Sequence, residues 1–166
     1  MAKVTENRMA WLVAGVFLGL AISYVWPHEP LQAVATDRNS QFAIVTGNVG
    51  LLDPVDAVFT LDFLTGQVRG ACINRALGKF NVTYYRNVAQ DFKVDPQTKP
   101  IYAICMGAAS LQAKSGFTPA ASLLYVAELT SGKVGAYTFP WQEYQQPVPP
   151  IQLTPIDSYQ FRDAEK

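Results

Sequence analysis

The chain has 166 residues, 49% of them apolar and 16% charged, with 13 basic side chains against 13 acidic ones. So even a balance supplies no basic field for nucleic acid and no acidic field either, and 49% apolar content suits a chain that buries a core. Two cysteines without CxxC spacing and a lone histidine make a poor metal or redox site.

Met9–Trp26 carries no charge. As a helix it covers about 27 Å, close to the hydrocarbon thickness of a bilayer. Trp11 at one end, with Tyr24 and Trp26 at the other, suits the interfacial aromatic belts. Pro27 cannot continue a helix. The expectation is a cytoplasmic tail over 1–8, a transmembrane helix over 9–27 in the bacterial inner membrane, and a linker over 28–40. Lys3 and Arg8 precede the run while His28 and Glu29 follow it, so the positive-inside rule puts the N-terminus in the cytoplasm and the rest outside. The rival is a secretory signal cleaved after Ala35 in Ala33-Val34-Ala35, although the apolar run is long for that role. Gly15, Gly19 and Ser23 recur at spacing four and form a small-residue strip suited to helix packing.

Once Lys3, Arg8 and Glu6 are set aside, the segment after Pro27 holds 11 basic and 12 acidic residues, enough chain for one domain. It contains an internal repeat. Gln41-Phe42-Ala43-Ile44-Val45-Thr46-Gly47 matches Ile101-Tyr102-Ala103-Ile104-Cys105-Met106-Gly107, and 58–68 matches 124–134, the lengths differing in the loop between (48–57 against 108–123). Phe59, Leu61 and Phe63 alternate with Val58, Thr60 and Asp62, as Tyr125, Ala127 and Leu129 do with Leu124, Val126 and Glu128, which is the period of a half-buried strand. Leu64-Thr65-Gly66-Gln67 and Thr130-Ser131-Gly132-Lys133 read as hairpin turns with a glycine for positive φ. Asp62 and Glu128 beside them are expected to be structural and solvent-facing. A second strand follows each turn, and Phe80–Tyr85 adds a fourth strand to the first copy.

The fold class is therefore mainly β: one N-terminal transmembrane α-helix, then a small all-β domain over 41–140 of two related meanders, about 41–86 and 101–139. Such hairpins resemble β-propeller blades, which normally close at 4–8. Two blades would have to pack face to face as a sandwich or small barrel, or leave edges for something else to cover.

Smaller signals point away from chemistry. Cys72 and Cys105, in predicted strands, are expected as buried thiols, with a disulfide as the alternative. Asp53, Asp56 and Asp62, and Asp91 with Asp95, lack calcium-loop spacing. His28 is expected to be interfacial, and the Asn81-Val82-Thr83 sequon to be coincidental. From Pro140 the chain turns proline-rich, with Gln145-Gln146-Pro147-Val148-Pro149-Pro150, and 141–166 is expected to be an extended tail whose Trp141, Tyr144, Tyr159 and Phe161 dock on a partner.

Trp26-Pro27-His28-Glu29-Pro30-Leu31, Ala33-Val34-Ala35-Thr36-Asp37-Arg38-Asn39, Leu61-Asp62-Phe63-Leu64-Thr65-Gly66 and Val126-Ala127-Glu128-Leu129-Thr130-Ser131-Gly132-Lys133-Val134 resemble a family of short membrane-anchored proteins from planctomycete bacteria. The resemblance implies a bacterial envelope location and carries over no catalytic residue. The expected function is a non-enzymatic accessory or scaffolding subunit of a membrane-associated assembly, without cofactor, metal or nucleic acid. Its partners would be other membrane or envelope subunits, self-association included, and the lipid bilayer over 9–27. The alternative is a ligand-binding or sensing module in which 108–123 closes over a pocket between the two units, and an enzyme would need Asp, Tyr and Arg gathered in one cleft.

Overall fold

The computed structural model describes residues 3–25, 36–52, 54–94, 97, 99–109, 111–113, 116 and 118–162, with side chains of the first helix described over 9–21. The chain divides into two compact units, Met1–Leu31 and Gln32–Lys166.

The first unit contains α1 (Lys3–Val25). Its Leu, Val, Ala and Phe residues run without a proline, and the described apolar side chains point to every side of the helix and are exposed, Trp11 at 78%. Among the described residues no helix is long and apolar enough to cross a membrane. The span expected over 9–27 runs beyond those residues.

The second unit is mainly β. Its first sheet has the order β1-β2-β3-β4-β5-β9, from β1 (Thr36–Arg38), β2 (Phe42–Asn48), β3 (Asp56–Asp62), β4 (Gln67–Asn74), β5 (Lys79–Asn87) and β9 (Ile151–Gln152). The second has the order β10-β8-β7-β6, from β6 (Tyr102–Ala108), β7 (Ser122–Glu128), β8 (Lys133–Thr138) and β10 (Thr154–Gln160). A single helical turn, α2 (Val88–Phe92), follows β5, capped by the Asn87 side chain and ended by Lys93 in the left-handed region.

The repeat is present to the residue. Phe42 pairs with Asp62 and Asn48 with Asp56 in the first copy, as Tyr102 pairs with Glu128 and Ala108 with Ser122 in the second. Gly66 and Gly132 turn the two hairpins at φ 66° and 68°, a conformation that costs glycine little and other residues more. Asp62 accepts hydrogen bonds from the Leu64 N–H and the Thr65 hydroxyl, and Glu128 accepts from the Thr130 and Ser131 N–H groups. Both carboxylates staple their turns, as expected, but Glu128 is only 1% exposed, not solvent-facing.

That difference has a general cause. In the first sheet Ala43, Val45, Phe59 and Leu61 are buried, while Ile44, Thr46, Val58 and Thr60 are half-buried. In the second sheet the parity is reversed: Ile104, Met106, Leu124 and Val126 are buried, and Ala103, Cys105, Tyr125 and Ala127 are half-buried or exposed. The sheets stack with unlike faces together, one copy's inner face against the other copy's opposite face. Met106 fills the space a side chain at Gly47 would need, 2.9 Å from a Cβ placed there. Phe59, Tyr84 and Phe139 form a mutual ring cluster with centroids 4.9–5.7 Å apart, and Phe63 lies 6.1 Å from Tyr102. At the other end, the Ser122 hydroxyl donates to the Asn48 carbonyl at 2.5 Å and the Ala121 N–H to that of Val49 at 3.0 Å.

The C-terminal segment is not a free tail. Over 141–150 the chain crosses the end of the domain, held by the Asn74 and Asn81 side-chain amides, which both donate to the Tyr144 carbonyl at 2.8 and 2.7 Å. β9 then adds to the first sheet, parallel to β5, and β10 becomes the fourth strand of the second copy, antiparallel to β8. Proline has no N–H to complete a ladder, so the proline-rich stretch lies between the strands and pairing resumes at Ile151. β1 likewise lies within the expected linker: alternation was invisible in three exposed residues, and backbone pairing with β2 alone places them. Leu153, between the two sheets' last strands, is fully buried, and its N–H donates to the Tyr85 carbonyl. Leu153→Ala is expected to cost about 2–5 kcal/mol, read as a lower urea midpoint with an unchanged slope.

Candidate functional site

The sequence-derived candidates do not converge. Gly15 and Gly19 lie on α1 with nothing among the described residues within 4 Å of a Cβ placed on either. The side chains of Ser23 and Tyr24, and all of Trp26, His28, Ala33-Val34-Ala35, Asp53 and Asp95, lie outside the described residues. Trp141 and Tyr144 pack, half-buried, against the domain's own core, so these two docking candidates are used internally. The reason is the returning chain: with β9 and β10 in the sheets, the segment before them must lie on the domain. Tyr159 and Phe161 remain exposed, at 65% and 41%.

The cysteines are free and in different sheets, Cys72 buried and Cys105 exposed, so the expectation of two buried thiols holds for one. Burial pushes the Cys72 thiol up to about 12. Asn81 is buried with its amide on Tyr144, which leaves the sequon nitrogen occupied. Among the described residues no group of three or more His, Cys, Asp or Glu is placed to hold a metal ion.

One polar cluster was not legible. Asp91 on α2 accepts from Arg86 of β5 at both carboxylate oxygens (Nε to Oδ2 2.8 Å, Nη2 to Oδ1 2.5 Å) and from the Tyr137 hydroxyl of β8 at 3.0 Å. It borders a cavity of about 390 Å³ lined also by Phe92, Lys133, Asp157 and Ser158. Asp91 and Tyr137 thus line one cleft, and Arg86 reaches it only through its bonds to Asp91, which approaches the arrangement an enzyme reading requires. The Asp91 hydrogen bond raises the Arg86 guanidinium still further, and burial, then the Asp91 charge, raises the Tyr137 hydroxyl well above its ordinary value. Neither group exchanges a proton near neutral pH, and both carboxylate oxygens are engaged. The cluster ties β5 and α2 to β8, a clasp between sheets. Arg86 and Asp91 lie five positions apart across a strand-to-helix junction, and Tyr137 lies 46 from Asp91, so no spacing rule joins them.

The other feature is a surface. Opposite residues of antiparallel strands share a face, so Tyr159, Val134, Ala127 and Ala103 make one row across the outside of the second sheet, and Asp157, Ala136, Tyr125 and Cys105 the next. Across β6, β7 and β8 these rows carry no charge; Asp157 stands at the β10 side. The outside of the first sheet is mixed, with Asp37, Ile44, Thr60, Arg69 and Tyr85 in one row and Phe42, Asp62, Gln67 and Asn87 in another.

Compared with family models, with curated proteins and with solved structures, the chain gives no match in any of the three.

Asp91→Asn removes the charge that holds both partners and is expected to cost about 1–3 kcal/mol, seen as a lower thermal midpoint. A second expectation concerns acid. Burial raises the Glu128 carboxyl, yet the hydrogen bonds from Ser131 and Thr130 outweigh it and hold the group below its ordinary value of 4.5. Its folded-state pKa is depressed, so its stabilisation is full above pH 4.5 and is lost as pH falls through the lower folded value. Glu128→Gln should flatten that part of a stability-against-pH curve.

Proposed function

We propose that the protein is a non-enzymatic, membrane-anchored accessory or scaffolding subunit whose β domain is an interaction module outside the bacterial cytoplasmic membrane. The observation that carries this reading is the uncharged outer face of β6, β7 and β8, rows of Ala, Cys, Tyr and Val of the kind that marks contact sites. Supporting it, the hydrogen-bonding groups of the Arg86–Asp91–Tyr137 cluster are engaged with one another.

The anchor is α1. Its described side chains over 9–21 are apolar on every side, and a helix of that kind needs a nonaqueous or protein environment. Those thirteen residues cover about 20 Å, and the uncharged run continues to Trp26, which brings the length to that of the hydrocarbon core. Gly15 and Gly19, open on the described helix, offer a face for a neighbouring helix, and Lys3 and Arg8 keep the N-terminus cytoplasmic. The ligand-binding alternative has less support, because side chains of both sheets fill the space between the two repeats.

Native membranes solubilised in mild detergent are expected to release the protein in a complex larger than one chain, and cross-linking in intact membranes should capture that contact through the β domain. A lone monomer with no cross-linked product would overturn the reading.

A further inference from the structure

The internal repeat supplies a template for what covers the open faces. Because equivalent positions face opposite ways in the two sheets, the outside of the second sheet is made of counterparts of the buried face of the first. Ala103 stands for Ala43, Cys105 for Val45 and Gly107 for Gly47 at an offset of 60, and Tyr125 for Phe59 and Val134 for Val68 at 66. In the first sheet these positions are buried; in the second they keep the same small and apolar character but are half-buried or exposed, with Leu123, the counterpart of Ala57, the buried exception. The outside of the first sheet, in turn, holds the counterparts of the surface that does the covering: Ile44 for Ile104, Val58 for Leu124 and Asp62 for Glu128. Each chain presents both halves of its own internal interface.

We propose that a second copy of this chain covers the outer face of the second sheet with the outer face of its first sheet, and that the copies close head-to-tail into a ring. This rests on the interaction-module reading above and names its partner.

Moving each internal contact by the repeat offset writes the contacts between copies. Met106 over Gly47 becomes Thr46 over Gly107 of the neighbour; the Phe63–Tyr102 pair becomes Leu129 with Phe42; the Phe59–Phe139 pair becomes Tyr125 with Ile73. Phe42 and Ile73 are large apolar residues left 44% and 41% exposed on the first sheet, and the transferred map covers both. Asp62 is ready for burial, since its turn already satisfies it as the turn of the fully buried Glu128 does. Arg69, whose counterpart is Gly135, changes size, and its stem can lie along the face with the guanidinium at the rim.

A contact between unlike faces is heterologous and yields a closed ring when its rotation closes. Sheets stacked in one sense close at about 4–8 layers, which is two to four copies of a two-sheet domain. Cyclic symmetry also leaves every N-terminus on one side, as helices in a single bilayer require.

The test is the mass of the full-length protein in mild detergent, with Ile44→Arg and Ala127→Arg disabling one face each. Wild type is expected at two to four chains, each variant at one, and an equal mixture of the variants at two, because each keeps the face the other lacks. If a variant misfolds, Phe42→Cys with Leu129→Cys in a Cys105→Ser background decides: a short bismaleimide should join chains into dimers and higher products. Wild-type monomers bound to a different protein would overturn the ring and leave the subunit reading standing, and solitary monomers would overturn both. Dissociation by only one of the two variants, or no joining through 42 and 129, would also overturn it.

Discussion

A β-sheet has two faces, and a domain of two sheets can bury only one face of each. In this protein the buried pair is an unlike pair: the Ala43, Val45, Phe59 and Leu61 side of the first sheet lies on the Ile104, Met106, Leu124 and Val126 side of the second. Close approach of the sheets depends on Gly47, which admits Met106, while Gly70, opposite Phe59 in the same sheet, leaves room for the Phe59 ring, 2.3 Å from a Cβ placed there. The Phe59, Tyr84 and Phe139 cluster then fills the middle of the layer. Burying such side chains is worth about 1.5–3 kcal/mol each, and among the described residues there are more of them than of the polar contacts between the sheets.

The other features follow from that stacking. Glu128 must be satisfied by its own turn because the second sheet buries the face that Asp62 leaves half-open. The C-terminal chain returns across the ends of both sheets, so Leu153 and Tyr144 become internal parts and the second repeat regains a fourth strand from residues distant in sequence. The Arg86–Asp91–Tyr137 clasp joins β5 and α2 to β8, and its hydrogen bonds hold the layers together.

The same stacking leaves a directional molecule. One exposed face is uncharged over three strands, while the other mixes Phe42, Ile44 and Ile73 with Asp62 and Arg69, so the two faces differ in chemistry. A domain with two unlike faces has a head and a tail.

The local features were legible from residues alone. Period-two alternation gave β3 and β7, the Thr65-Gly66 and Ser131-Gly132 turns gave their hairpins, and self-similarity at offsets of 60 and 66 gave the matched registers of Phe42 with Asp62 and Tyr102 with Glu128. These are short-range or pattern properties, set by backbone geometry and side-chain periodicity. Which face of each strand is buried was not legible, because alternation marks two faces and leaves the choice to whatever sheet arrives on top; hence Glu128 was misread as solvent-facing. Nor was the fate of 141–160, since prolines hide a strand's beginning and its partners, β5 and β8, lie many residues upstream. Sequence by itself determined an all-β domain of two like meanders behind an apolar N-terminal run. Tertiary structure decided which faces meet and which stay open, because burial belongs to pairs of surfaces and no single strand carries it.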